Sequence, residues 1–335
     1  MPTNPPTAEH LQKPDGDMGN ASLRDDVFLA DVLAGLSQTP KRLSSKYLYD
    51  ERGSALFDQI CELPEYYPTR TELAIMESNA VAITREIGPH ANVVELGSGS
   101  SVKTRLLLDH LDQPRSYIPI DISEDHVLAT AQQLRSEYPE IEINPIIDDF
   151  CAALENSERF PGDQVCVYFP GSTIGNFPPH DAQRLLHKIS DCCGVCGGLL
   201  IGFDLQKDIA VLEAAYNDAA GITAEFSLNL LDRMNREAGA NFDTGQFRHV
   251  AFYNATAERI EIFLESECDQ IVRIDEIEIS FEKGERIHTE YSHKYTIAGF
   301  TQMASHAGLA VRRVWSDDQS YFAIMYLENR NADAN

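Results

Sequence analysis

Asn92-Val93-Val94-Glu95-Leu96-Gly97-Ser98-Gly99-Ser100 decides how the rest of the chain is read. Asn92 to Leu96 is short, mostly apolar and β-branched, the pattern of a parallel strand buried on both faces. Gly97 and Gly99 let the backbone turn sharply and approach a ligand, and Ser101 to His110 (SVKTRLLLDH) reads as the helix that follows. Strand, glycine turn and helix together make a nucleotide-type site. A dinucleotide fingerprint requires a third glycine three places after Gly99, and Val102 stands there, so nicotinamide chemistry is the weaker reading.

Working outward, strands at 92–96, 116–121, 141–147, 164–169 and 198–204 alternate with helical stretches at 101–111, 123–137, 149–156 and 180–192. This alternation predicts right-handed βαβ units and a parallel sheet covered on both faces, with the ligand across the carboxyl ends of the strands. After Asp204 the pattern changes. Residues 206–237 read as helical, and 246–283 as strands of an antiparallel sheet with one wet face (RHVAFYN, RIEIFLES, QIVRI, IEISF). A helix at 298–307 and a hairpin of 310–315 with 321–327 close the chain. On the amino-terminal side, residues 1–22 read as a disordered leader, 26–37 as a helix and 46–63 as a loop entering a short helix. Pro64-Glu65-Tyr66-Tyr67-Pro68 reads as a turn before a long helix, Thr71 to Ile87.

Composition excludes several classes. Of 335 residues, 53 are acidic and 27 basic, for a net charge of −26. Such a field repels phosphate backbones and anionic membranes, so nucleic acid and membrane partners are not expected. There is no apolar run of transmembrane length and no signal pattern, which reads as cytoplasmic. The seven cysteines are odd in number and read as reduced thiols. Cys192-Cys193-Gly-Val-Cys196 contains a C-x-x-C but has no second ligand pair of matching spacing. It reads as a packed corner and not as a metal site.

Acidic residues end two of the strands. Asp121 closes Tyr117-Ile-Pro-Ile-Asp121, where a carboxylate can accept both ribose hydroxyls of an adenosine. Asp149-Phe150 closes the next, where an acid can take the adenine amino group and a ring can cover the base. Either acid could instead cap the helix after it. Gly171-Ser-Thr-Ile-Gly-Asn176 follows the fourth strand, and Asn176 offers a donor and acceptors without adding charge.

Glu95-x-Gly97-x-Gly99 resembles the first motif of class I S-adenosylmethionine-dependent methyltransferases. Taken with YLYDERGSALFDQICELPEYYPTRTE, VVELGSGSSVKT, GSTIGN and IHTEYSHKY, the chain from about Leu43 to Leu327 resembles the histidine-specific Nα-methyltransferases of ergothioneine biosynthesis. That resemblance implies an α/β fold: a class I, Rossmann-like seven-stranded sheet with an inserted α+β substrate-binding lobe. Residues 23–69 and 208–296 would form the substrate lobe, and 70–207 with 297–335 the S-adenosylmethionine domain. It also implies a two-lobed monomer that trimethylates the α-amine of free L-histidine to hercynine, leaving S-adenosylhomocysteine. Carried over, Tyr49, Phe57, Tyr66, Gly171, Asn176 and Tyr216 hold the amino acid, with Tyr49 and Asn176 nearest the chemistry. Gly97, Ser98, Gly99, Lys103, Asp121, Asp149 and Phe150 match cofactor contacts. Where the family has a methionine, in Arg259-Ile-Glu-Ile-Phe-Leu264, this chain has Ile262.

The stretch from Arg286 to Tyr295 reads as extended, so residues two apart share a face. Glu290 and Ser292 project together, a carboxylate for an imidazole N–H and a hydroxyl for the other nitrogen, a match to histidine and not to an indole. By the same alternation His288 shares that face, but two candidates without a third do not make a zinc site. The alternatives are methylation of another amino acid such as tryptophan, or a sensor that binds S-adenosylmethionine without turnover.

Overall fold

A computed structural model describes residues 18–99, 102–156, 159, 160, 162 and 164–329. Residues 1–17 of the expected leader lie outside the described residues, as do Ser100 and Ser101 of the glycine turn. The chain is helical over Met18–Leu36, so 18–22, given to the leader by composition, instead begin a helix. Phe28, Val32 and Leu36, spaced one turn apart, bury that helix against the rest of the chain.

The large sheet has seven positions: Glu142–Ile143 with Ile146–Ile147, then Ser116–Asp121, Asn92–Leu96, Val165–Phe169, Gly198–Asp204, Phe322–Asn329 and Leu309–Ser316. The first five positions run parallel and Phe322–Asn329 antiparallel, in the register Asn92↔Ser116, Val167↔Leu199 and Ile324↔Gly202. This is the order of a class I methyltransferase sheet, as the resemblance implied. The strand expected at 141–147 is split at Asn144-Pro145, because Pro145 has no N–H to give the ladder. Side chains alternate between two apolar layers. Val94, Leu96, Ile118 and Val167 face one, and Val93, Tyr117 and Tyr168 the other.

A third apolar cluster has buried members that run from Phe28 to Tyr67 and from Leu212 to Ile287, with Tyr321 packed against it. It lies on a smaller sheet in which Lys41–Arg42, Arg286–His293, Arg259–Ser266 and Phe247–Asn254 are neighbours. The expected helix over 206–237 is two helices, Ile209–Ala214 and Ile222–Glu237. Gly221, at φ 78°, turns the chain between them, and Asp218 caps the second by accepting from Ile222 N (2.9 Å) and Thr223 N (2.8 Å). The long helix starts at Tyr67, four residues earlier than expected, since a proline in the first turn costs no hydrogen bond.

Candidate active site

Gly97 and Gly99 take positive φ of 73° and 45°, and a Cβ at either would meet nothing within 4 Å. Glycine is therefore required by the backbone turn, and open space lies beside it. Glu95 does not face that space. It is buried, accepts from Thr104 Oγ1 (2.7 Å) and the Tyr117 hydroxyl (2.6 Å), and burial pushes its carboxyl up to about 7. Its role is to tie the helix Val102–Leu108 to the neighbouring strand. Ser98 is buried as well.

Asp121 Oδ1 accepts from Ser123 N (3.0 Å) and Oδ2 from Gly99 N (3.4 Å), so the strand-end acid also fastens the glycine turn. Asp149 caps the short helix Phe150–Ala153 through Cys151 N (2.8 Å). It lines a cleft of about 960 Å³ together with Tyr49, Ile122, Ser123 and His126. Capping and cleft-lining are thus combined in one carboxylate. Phe150 packs edge-on against Phe169 (5.5 Å between centroids) and Phe177 (6.0 Å) at the end of the fourth strand. Lys103 pairs with the buried Glu72, whose two oxygens also accept from Gly171 N at 3.1 and 3.0 Å. Glu72, which sequence reasoning missed, thereby joins the first and fourth strand ends. Gly202 is what admits it, because a Cβ there would lie 2.1 Å from Glu72 Oε1.

The facing wall is aromatic. Tyr49 meets Phe57 and Phe226 edge-on at 5.5 Å each, Phe57 meets Tyr66 at 6.1 Å, and Tyr66 meets Tyr216 at 6.3 Å. Burial, followed by the nearby Glu290 charge, holds the Tyr49 phenol well above its ordinary range, so it is neutral and a donor. The structure therefore brings Tyr49, Phe57, Tyr66 and Tyr216 together across more than 160 residues of sequence, and adds Phe226 to them.

The strand Arg286–His293 carries a correction. Its register slips between His288 and Glu290, with His288 opposite Phe263 and Glu290 opposite Ile262, so Thr289 is the extra residue of a β-bulge. Side-chain alternation resets there. Glu290 and Ser292 do share a face, with Ile262, but His288 points to the other one, where its ring packs on Phe263 (5.3 Å) and Tyr291 (3.8 Å). The expectation that His288 shares the Glu290 face is overturned. Glu290 is 9% exposed, and burial raises its carboxyl to about 7, opposed by the Lys294 charge and by a side-chain contact from Asn176. Asn176 reaches it because the GSTIGN loop lies directly on this strand. A Cβ on Gly175 would sit 2.9 Å from His293 O.

Behind Ser292 lies a buried charge network. Lys294 Nζ donates to the Tyr216 hydroxyl (2.9 Å) and Ser292 Oγ (2.8 Å) and pairs with Asp204 Oδ2 (2.8 Å), while Tyr216 and Ser292 are themselves 2.8 Å apart. Lys207 Nζ pairs with Asp204 Oδ1 (2.5 Å) and donates to the Tyr67 hydroxyl (2.6 Å), which donates on to Asp204. Burial opposes the charges of Asp204 and Lys294, but their mutual attraction outweighs it. The carboxyl is held below its ordinary range and the ammonium above. Neither residue was singled out from sequence, although both signals were there. Asp204 ends a strand as Asp121 does, and Lys294 continues the alternation 290, 292, 294.

Among the described residues no cluster of His, Cys, Asp or Glu could hold a metal ion, and no helix is long and apolar enough to cross a membrane. The C-x-x-C corner is tight: a Cβ on Gly197 would lie 1.9 Å from Cys193 O.

Residues 28–329 match the family of histidine-specific, S-adenosylmethionine-dependent methyltransferases. Over 322 residues the chain is 39% identical to a histidine N-alpha-methyltransferase of Mycobacterium tuberculosis, covering 95% of this chain and 97% of that protein. It is 33% identical over 294 residues to ergothioneine biosynthesis protein 1 of Neurospora crassa, covering 84% of this chain and 32% of that protein. To an L-tryptophan methyltransferase of Psilocybe serbica it is 28% identical over 340 residues, covering 90% and 93%. The matched span takes in the glycine turn, the aromatic wall and the Glu290 strand, and the chain belongs to the histidine-specific, S-adenosylmethionine-dependent methyltransferase family.

Proposed function

We propose that this protein transfers three methyl groups from S-adenosylmethionine to the α-amine of free L-histidine, giving hercynine in ergothioneine biosynthesis. The observation that carries the reading is the pairing of Glu290 with Ser292 on one buried face beside the aromatic wall. A carboxylate and a hydroxyl complement the two nitrogens of an imidazole, whereas an indole would leave one of them unpaired at a cost of about 1–3 kcal/mol.

The residues present fit S-adenosylmethionine. Open space lies beside Gly97 and Gly99, with Ser98 in the same turn, and Asp121 and Asp149 stand at successive strand ends. In this reading these residues hold the cofactor with Lys103 and Phe150, and Gly171 lies beside the amino acid. When bound, the cofactor supplies an electrophilic methyl carbon, so the protein's own task is to place a neutral amine in line with it. Tyr66, Tyr216 and Asn176 grip the carboxylate and amine, Phe57 shapes the pocket around the amine, and Ile262 packs beside the ring. Tyr49, a neutral phenol, accepts the amine's hydrogen bonds and passes each released proton toward solvent. One proton leaves per methyl transferred, and after the third none remains, which ends the reaction.

Residues 23–69 with 208–296 act as the substrate lobe and 70–207 with 297–335 as the cofactor domain. The separate apolar cluster drawn from 28–67 and 212–287 supports that division. We assign a cytoplasmic monomer, on the acidic composition and the absence of any spanning helix among the described residues. The test is incubation with S-adenosylmethionine and, separately, histidine, tryptophan, tyrosine and histamine, with products read by mass spectrometry. Trimethylated histidine alone is expected. Product from tryptophan alone, or cofactor binding without any product, overturns the reading.

A further inference from the structure

Resting on that reading, we propose that Lys294 is a positioning residue that sets the direction of the Ser292 hydroxyl and so makes the site select a ring carrying an acceptor nitrogen. The argument is a hydrogen count. The Lys294 ammonium has three N–H groups and three acceptors around it, the Tyr216 hydroxyl, Ser292 Oγ and Asp204 Oδ2, all within 2.9 Å. The side chain is wholly buried, so water supplies no competing partner. Tyr216 and Ser292 are 2.8 Å apart and share one hydrogen. Two hydroxyls carry two hydrogens, one lies between the oxygens, and one is left to point outward.

The lysine decides what the outward group can do. The phenol is the more acidic of the two hydroxyls and donates to Ser292, so Ser292 Oγ accepts from both Lys294 and Tyr216, its lone pairs are used and its hydrogen is left for the ring, while Tyr216 keeps a lone pair for the amine. Ser292 is then a donor only. That matches the bare nitrogen of a neutral imidazole whose other nitrogen, as N–H, donates to Glu290. Lys294 stands behind the pair and touches no substrate. Asp204 holds it there, and Lys207 and the Tyr67 hydroxyl occupy the remaining acceptor positions of Asp204, so the ammonium keeps its one orientation. Without Lys294, Ser292 Oγ regains a free lone pair and its hydroxyl is free to turn toward Tyr216. The site then loses its demand for an acceptor.

The experiment compares histidine with its pyrrole analogue, in which the acceptor nitrogen is replaced by C–H and the N–H that serves Glu290 is kept. Wild type and Lys294→Met are assayed for kcat and KM on both, with S-adenosylmethionine affinity measured calorimetrically. Because Asp204 retains Lys207 and Tyr67 in the variant, folding is expected to survive, and Lys294→Gln, which leaves the Asp204–Lys207 pair in place and keeps a polar head, serves if it does not. Wild type is expected to prefer histidine, and the variant to lose roughly ten- to a hundred-fold of that preference, mostly as a raised KM for histidine, with cofactor affinity unchanged. An unchanged preference in an active variant, or an equal loss on both substrates together with weakened cofactor binding, overturns the positioning role. A wild type that does not methylate histidine overturns the functional reading itself, and this inference with it.

Discussion

Glu290→Gln separates the catalytic use of Glu290 from its cost to the fold. Burial raises the carboxyl from 4.5 to about 7 in the absence of substrate. At pH 8 it is about nine-tenths ionised and at pH 6 about one-tenth, so the site's competence to accept a charged hydrogen bond falls roughly tenfold between them. Glutamine is neutral at both values. It keeps an acceptor oxygen but loses the charge assistance, about 1–2 kcal/mol, which lowers kcat/KM for histidine about 5- to 30-fold at pH 8 and less at pH 6. The stability effect has the opposite sign. A carboxyl whose folded pKa is raised stabilises the protein below its unfolded value, and that stabilisation is lost as pH rises through about 7. At pH 8 ionised Glu290 therefore costs the ligand-free protein up to about 3 kcal/mol, and Glu290→Gln raises the melting temperature there but not at pH 4. The assay is kcat/KM against pH for both proteins, with thermal denaturation at pH 4 and 8. A Glu290→Gln enzyme with wild-type kcat/KM at pH 8 and the wild-type fall toward pH 6 refutes the reasoning.

The other expectations test the seam, the outer face and the proton route. Gly175→Ala places a Cβ 2.9 Å from His293 O and 3.2 Å from His293 N, both backbone atoms, and should cost about 1–3 kcal/mol in a denaturant titration. Burial lowers His288 and His293 to about 4, so the stability they contribute is present above about 6.5 and is lost as pH falls through about 4. His293→Gln should move the acid-unfolding midpoint, followed by circular dichroism, to lower pH. Tyr49→Phe should slow all three transfers measured in single turnover, and unaltered rates would remove its proton role. Because the bulge sets His288 and Glu290 on opposite faces, chelation by EDTA should leave activity unchanged. Zinc-dependent recovery after EDTA treatment would contradict that geometry.

Most of the architecture was legible because it is written in short periods. Asn92–Leu96, Ser116–Asp121 and Gly198–Asp204 have the expected bounds, since apolar runs broken by glycine or acid leave little choice of element. Phe247–Asn254 and Arg259–Ser266 were equally plain from their alternation, whereas Lys41–Arg42 gave no signal, and Gln270–Ile274 with Ile277–Phe281, expected in the same sheet, form a separate two-stranded one. The boundaries that moved are those where one residue's backbone chemistry overrides the pattern: Pro145 splitting a strand, Pro68 extending a helix, Gly221 dividing another.

The sequence by itself determined the glycine turn, the strand-end acids, the four tyrosine and phenylalanine positions of the wall and the pairing of Glu290 with Ser292. The turn, the acids and the Glu290–Ser292 pairing depend on spacing within a few residues, whereas the wall positions are what the family resemblance implies. Tertiary structure alone decided three things. The bulge at Thr289 turned His288 away from Glu290, because a bulge is set by how two strands register and not by either strand's pattern. Glu72 came to join Lys103 to Gly171 because Gly202, on another strand, leaves room for its carboxylate. Asp204 and Lys294 became a buried ion pair from positions 90 residues apart, and burial gives that pair its force: charges that water would screen are held to one another and to the Tyr216 and Ser292 hydroxyls.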